Sequence, residues 1–325
     1  MKIPNGALLV DKPKGISSFG AIEQIQRTLF EKYGIKKRDL PKMGHGGTLD
    51  PFATGLLAVC VGRAVKLARY FLGASKTYEG TMIFGQTTVP GDPTEAVTER
   101  TDRIPADIGA MRTLAGQMTQ MIYEQIPPMH SAKKRDGKPL YELARAGIEV
   151  EREPKKCRLY SFEIQSYEPP TAKFSVRCSS GTYIRTLAQD FGRMQGSLGM
   201  LEDLRRTGLG SLGIQETLTI DQILDHSPED WASLKCWIPF DRLLDSYEKA
   251  DANDDEANAL LQGRQNVLFN ILKRVQRSET ETPEAAESRE ARENCVVIYH
   301  REKLLAVARQ MDGIWGLERV FTDHA

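Results

Sequence analysis

A chain of 325 residues, 40% hydrophobic and 27% charged, has the make-up of an ordinary globular protein with room for one large domain and a smaller one. Its 44 basic and 44 acidic residues cancel to a formal charge of zero, which excludes the uniformly basic kind of nucleic-acid binder. No apolar run approaches the ~20 residues that span a bilayer, and five scattered cysteines (Cys60, Cys157, Cys178, Cys236, Cys295), none in a Cys-x-x-Cys pair, speak against a disulfide framework or a zinc site.

The chain runs from Lys2 straight into a strand-like segment, Ala7 to Val10, without a signal-peptide core, so a reducing, cytoplasmic setting is expected. Ser17 or Ser18 can cap a helix whose Phe19, Ile22, Ile25 or Gln26, and Leu29 fall on helical spacing. Residues 1–80 carry thirteen Lys and Arg against six Asp and Glu, so basic charge is concentrated early. A second basic cluster is Lys133-Lys134-Arg135 with Lys138. The compensating acid sits late, and local field rather than net charge steers a polyanion.

Leu56 to Val61 reads as a strand, Ala64 to Phe71 as a short helix, and Tyr78 to Phe84 as a strand. Phe174, Val176 and Cys178 alternate as a half-buried strand does; Gly181 breaks that pattern, and Ile184 to Met194 looks helical. A break is expected near residues 226–238. Beyond it, the acidic stretch from Ser278 to Glu287 reads as a disordered loop, with a short helix from Pro283 to Arg292 as the alternative. Val296–Tyr299 and Leu304–Ala308 read as a hairpin. Strands outnumber helices and do not alternate with them regularly, which predicts an α+β fold on a mixed sheet.

The most informative stretch is Gly44-His45-Gly46-Gly47-Thr48-Leu49-Asp50-Pro51, a carboxylate in a glycine-rich loop with an imidazole five residues upstream. Read alone, Gly-Gly and Asp-Pro pairs mark turns. Two further segments change that reading: Lys76-Thr77-Tyr78-Glu79-Gly80 and Ser180-Gly181-Thr182-Tyr183-Ile184-Arg185-Thr186-Leu187. Together the three resemble the active-site motifs of the TruB family of tRNA pseudouridine synthases. Asn5 to Gly15 is similar to that family's opening strand and turn, and Ile126 to Ala132 with Gly137 to Glu142 is similar to its RNA-gripping loop. The likeness spans most of residues 5–210 in order.

The resemblance implies a largely antiparallel mixed sheet with helices in a catalytic domain over 1–235, with a thumb-like insertion at about 125–154. It also implies a small β-rich domain over 236–325, a diverged PUA-like module holding the acidic insertion at about 277–293. The implied reaction is isomerisation of uridine 55 in the T arm of tRNA: the N1–C1′ bond breaks, the uracil turns, and C5 joins C1′. Such a reaction needs no cofactor and no metal. The resemblance gives the catalytic carboxylate to Asp50, its ion-pair partner to Arg185, and the base-stacking aromatic, a candidate for deprotonating C5, to Tyr78. A guanidinium suits its role because it favours the ionised carboxylate and can grip it through two parallel bonds.

Substrate contacts fall by the same resemblance on Tyr183, on Leu204 lining the uracil pocket, and on His45, which takes the space of the flipped nucleotide. Lys66 is a candidate for steadying the loop or meeting phosphate, and Lys133, Lys134 and Arg135 for meeting phosphates. Isolated from the motifs, each of these residues has an ordinary structural reading: Tyr78, Tyr183 and Leu204 as core, His45 as a bonded loop histidine, the lysines as solvated. The implied partner is tRNA alone, bound by a monomer without obligate protein partners. The rival readings are a guide-RNA-dependent, dyskerin-like synthase, a tRNA-folding RNA-binding protein, and an aspartate-dependent hydrolase, which would need a water-activating base or metal that the sequence does not offer.

Overall fold

Apolar runs and alternating segments become strands here because a sheet buries alternate side chains while its ladder satisfies the backbone. The computed structural model describes residues 3–129, 134–135, 138–139, 148, 150–245, 247–275 and 294–321. Strand β1 (Gly6–Lys12) leads to helix α1 (Ser18–Glu31). The Ser17 hydroxyl caps α1 by accepting from the Gly20 amide at 2.9 Å, a contact worth about 1 kcal/mol. Ala21, Ile22, Ile25 and Leu29 form its buried stripe.

Strands β2 (Met43–His45) and β3 (Thr54–Val61) flank the Asp50 loop. The short helix expected over Ala64 to Phe71 is divided into a 3₁₀ segment, Gly62–Leu67, and a one-turn α2 (Ala68–Leu72). Ala64 and Leu67 are the buried residues of the first part, and a spacing of three suits the tighter turn. There follow β4 (Lys76–Phe84), β5 (Gln86–Thr88), β6 (Val97–Arg100), α3 (Ile108–Thr119), β7 (Ile122–Gln125), the two-residue strands β8 (Lys134–Arg135) and β9 (Lys138–Pro139), β10 (Lys155–Glu168) and β11 (Thr171–Cys178). Then come α4 (Ile184–Met194), β12 (Gly199–Leu209), β13 (Leu212–Gly213), β14 (Leu218–Thr219), α5 (Ile220–Leu224) and β15 (Trp237–Pro239).

Among the described residues, eleven strands make one sheet in the order β14-β1-β3-β12-β4-β11-β10-β7, with β13 on β12, β15 on β1 and β2 on β3. Only β1–β14 and β3–β12 are parallel within it, so the sheet is mixed and largely antiparallel, as expected. The central strands β3, β12 and β4 matter most for function. Their ends carry the loop with Asp50, the Arg205-Arg206 pair and Tyr78, because β12 sets Arg206 opposite both Gly55 and Tyr78.

The second sheet, β16-β17-β18-β19, is built from Glu248–Asp251, Cys295–His300, Lys303–Met311 and Ile314–Val320, with α6 (Asp254–Leu261) and α7 (Leu268–Leu272) against it. Its alternation is resolved by burial: Cys295, Val297 and Tyr299 join the main core, while Val296 and Ile298 join a second core with Leu260 and Ile271. Residues 237–239, at the end of the segment where the sequence suggests a break, pair instead with β1. Trp231 and Trp237 are buried in the main core, so burial of two large apolar side chains carries the first sheet past residue 235. The acidic stretch 277–293 lies outside the described residues.

Candidate active site

Asp50 sits in the connection from β2 to β3, and the connection is pinned from four sides. The buried Ser18 hydroxyl accepts from Leu49 N at 2.7 Å and donates to Leu49 O at 3.1 Å. Gly15 N donates to Pro51 O at 2.7 Å, and Gly46 N to Ala58 O at 2.9 Å. The buried Arg206 guanidinium donates to Leu56 O at 2.7 Å and to Gly47 O at 3.1 Å, closing both ends of the loop. Two glycines are required by this packing. A Cβ on Gly46 would lie 2.5 Å from Phe71 Cβ, and one on Gly55, at φ +102°, 2.3 Å from the Arg206 carbonyl oxygen.

Arg185 is the second residue of α4 and is 5% exposed. A cation in the first turn opposes the helix dipole, and two carboxylates offset that cost. Nε lies 2.9 Å from Asp50 Oδ2, and Nη1 lies 3.4 Å from Asp92 Oδ2 and 3.2 Å from the Pro90 carbonyl, to which it donates. The guanidinium therefore spans two carboxylates, where the sequence suggested a grip on one. Asp92 is itself fixed: its Oδ1 accepts from Thr94 N at 2.9 Å, and its amide donates to Thr88 Oγ1 at 3.1 Å.

The Asp50 side chain keeps 35% of its surface open to water and is otherwise closed in by protein. That burial pushes its carboxyl above the ordinary carboxylate range; Arg185 pulls it back, Asp92 pushes further up and Lys12 pulls down. Lys12 is fully buried, with Nζ donating to Pro13 O at 2.9 Å and Ile16 O at 2.8 Å. Burial lowers its pKa to about 8, with Asp50 acting in the opposite sense. The result is a partly open carboxylate beside one guanidinium and one ammonium, both of which favour its ionised form against burial, and whose free oxygen is available to act as a nucleophile or a base.

Tyr78 stands on β4 across from Arg206 and is 8% exposed, with that guanidinium close enough to act on its phenol. Burial raises its phenol pKa, Arg206 opposes this, and Asp50 is near enough to add to the rise. Leu204 is 6% exposed and pairs across the ladder with Gly80, two residues from Tyr78. Tyr183 is the half-buried residue that caps α4, two residues before Arg185. His45 is half-buried on β2; its Nδ1 is enclosed without a hydrogen-bond partner, and burial lowers its pKa.

Asp50, Arg185 and Tyr78 are thus brought into one electrostatic neighbourhood. Lys66 is not among the groups acting on Asp50; it is exposed on the 3₁₀ segment. Lys133 lies outside the described residues, and Lys134 and Arg135 are placed only as the backbone of β8, paired with β9. Nothing in the local sequence marks Lys12, Asp92 or Arg206 as part of the site. Pro90-Gly91-Asp92-Pro93 has the composition of a turn, and Arg205-Arg206 that of a solvated pair, so neither signals burial. Arg205 does meet solvent, in a two-pronged pair with Asp11 at 3.0 and 2.7 Å. Among the described residues no cluster of three or more His, Cys, Asp or Glu side chains is gathered in the manner of a metal site.

Residues 32–184 match the model of the TruB family pseudouridylate synthase N-terminal domain. The tRNA pseudouridine synthase B of Burkholderia lata is 38% identical over 325 residues, 100% of this chain and 92% of that protein. The chain belongs to the TruB family. The enzyme of the same designation from Bordetella avium is 47% identical over 221 residues, 67% of this chain and 86% of its own. Among solved structures, that of a Cbf5-Nop10-Gar1 complex superposes with a TM-score of 0.68 at 20% identity, covering 97% of this chain and 84% of that one. This last likeness is one of fold, and it accounts for the second sheet as well as the first. The Asp50 loop, Tyr78 and Lys76 lie within the span of the family match, and Arg185 follows one residue after it.

Proposed function

We propose that this TruB family member is a stand-alone tRNA pseudouridine synthase that isomerises uridine 55 of the T loop, acting as a monomer in the cytoplasm. The observation that carries the chemistry is the Arg185 guanidinium held between Asp50 and Asp92 beside a buried tyrosine. The substrate assignment is supported by full-length relatives designated tRNA pseudouridine synthase B. No helix of the described residues is long and apolar enough to cross a membrane.

In this reading a flipped uridine meets the open side of Asp50 with C1′ facing its carboxylate. Three routes are open to the carboxylate: attack at C1′, attack at C6, or assistance to elimination of uracil. All three need it ionised, which is what Arg185 and Lys12 favour against the push of burial. The N1–C1′ bond breaks, the uracil turns in a pocket closed by Leu204, and C5 bonds to C1′. The C5 proton then leaves and N1 takes up a proton, so the net change is isomerisation without redox.

Tyr78 offers a flat ring for stacking on the base. Its raised pKa keeps the phenol protonated, so stacking is its first role; to take the C5 proton it must first give up its own, as the phenolate that Arg206 favours. His45 fills the space left by the flipped nucleotide. Tyr183 contacts the substrate, and Lys66, Lys133, Lys134 and Arg135 meet RNA phosphates.

An isolated T-arm hairpin is the expected minimal substrate, since unstacked loop bases are those a protein can splay out. Incubation of purified protein with that hairpin, without guide RNA or added protein, should give pseudouridine at the position of uridine 55, read by carbodiimide-dependent primer extension. Modification only on addition of a guide RNA and partner proteins would replace the stand-alone reading with the guide-dependent one.

A further inference from the structure

Arg185 is presented by a turn and a helix start whose own capping is incomplete: Tyr183, the cap residue of α4, gives its helix no side-chain hydrogen bond. The turn is held from outside by the paired ends of β7 and β10. Gln125, the last residue of β7, is 1% exposed. Its Oε1 accepts from Tyr183 N at 2.7 Å, and its Nε2 donates to Tyr183 O at 2.8 Å and to Tyr123 Oη at 3.2 Å. Every hydrogen-bonding position of this amide that faces the turn is therefore used in one orientation. The Tyr123 hydroxyl in turn donates to Asp190 on the next turn of α4, which also pairs with Arg193.

Across the ladder from Gln125 stands Lys155, the first residue of β10. Its Nζ donates to Ser180 O at 2.9 Å, at the other end of the same turn. Two side chains on facing strand ends thus grip the backbone at residues 180 and 183, and Arg185 lies two residues beyond.

We infer that Gln125 and Lys155 are positioning residues that set the place of Arg185, and through it the alignment of Asp50, by clamping the Ser180–Tyr183 turn. The inference rests on the catalytic reading of Asp50 and Arg185. Loss of the clamp lets the start of α4 shift by a fraction of an ångström, and a misplacement near 1 Å costs roughly 100-fold in an oriented site. The groups facing Asp50 are Arg185 from α4, Lys12 from β1, Asp92 from the loop after β5 and Tyr78 from β4. Gln125 and Lys155 are not among these main influences, so on this inference they act on its ionisation chiefly through Arg185.

The test uses full-length Gln125→Leu and Lys155→Met with unmodified tRNA, following kcat, KM and the acid limb of the pH–rate profile. Gln125→Leu should lower kcat roughly 10- to 100-fold with KM within about threefold. Its acid limb should move to higher pH, because a loosened guanidinium no longer holds the Asp50 carboxyl down. Lys155→Met, at a half-buried site that tolerates the change, should move both readouts in the same direction by less. If Gln125→Leu does not fold, Lys155→Met alone carries the test.

An unmoved acid limb, with or without a loss of folded protein, overturns the inference, as does a rise in KM at constant kcat, which would make these residues RNA contacts. Wild-type protein assayed beside the variants keeps the two readings apart. Active wild type with unaffected variants removes only the clamp, whereas inactive wild type that binds tRNA removes the catalytic reading and the clamp with it.

Discussion

Asp50→Asn is expected to lose turnover by at least about 10⁴-fold while binding tRNA within about threefold of wild type. The exchange keeps the shape and leaves an oxygen for Arg185 Nε to approach, so the loop held by Ser18, Gly15 and Arg206 is not disturbed. What it removes is the negative charge, and each route open to this residue uses that charge. An amide at Asp50 neither attacks a sugar or pyrimidine carbon nor takes a proton. Single-turnover rates together with filter binding separate the two effects. Retained turnover would place the chemistry elsewhere, and equal losses of rate and affinity would make Asp50 an RNA contact.

Arg185→Lys should lower kcat by roughly 10²- to 10³-fold, although the charge is unchanged. The guanidinium reaches Asp50 through Nε, and Asp92 and the Pro90 carbonyl through Nη1, a spread that a single ammonium does not cover. Whichever carboxylate the lysine chooses, the other faces it without a shared partner. The pH dependence follows in sign. Burial already raises the Asp50 carboxyl, and Arg185 is the strongest influence pulling it back. A weaker partner lets it rise further, so activity, present while the carboxylate is ionised, fails at a higher pH on acidification than in wild type. An acid limb unchanged in Arg185→Lys would show that this guanidinium does not govern the ionisation of the catalytic group.

Much of the fold is legible in the sequence because it rests on periodicity. The apolar run Leu56–Val61 and the alternation of Phe174, Val176 and Cys178 fix strands, and Ser17 before Phe19 and Ile22 fixes a helix start. The ends are less legible: β1 runs on to Lys12 and β4 begins at Lys76, both lysines being buried on backbone carbonyls. A lysine in sequence carries no mark that its ammonium will find carbonyl partners inside, so pattern reading ends the strand before it. The same holds for Arg206, whose burial depends on β12 lying between β3 and β4, a long-range fact of topology.

Within the site, Asp50, Tyr78 and Arg185 stand out only as a set, from motifs separated by over a hundred residues. Asp92 is missed because a Pro-Gly-Asp-Pro turn is ordinary until α4 is folded over it. Gln125 is missed because its value lies in two backbone atoms of Tyr183, and a side chain that binds backbone leaves no signature at the partner's position. The second sheet begins at Glu248 because Trp231 and Trp237 find room in the first core, which no local pattern around residue 235 reports.

The most direct measurement is tritium release by wild-type protein from unmodified tRNA carrying [5-³H]uridine, because joining C5 to C1′ must expel the hydrogen at C5. Stoichiometric release of one tritium per tRNA, with no guide RNA, metal or cofactor added, is the predicted result. Folded protein that binds this tRNA tightly and releases no tritium would contradict the assignment of Asp50, Tyr78 and Arg185 to pseudouridine formation.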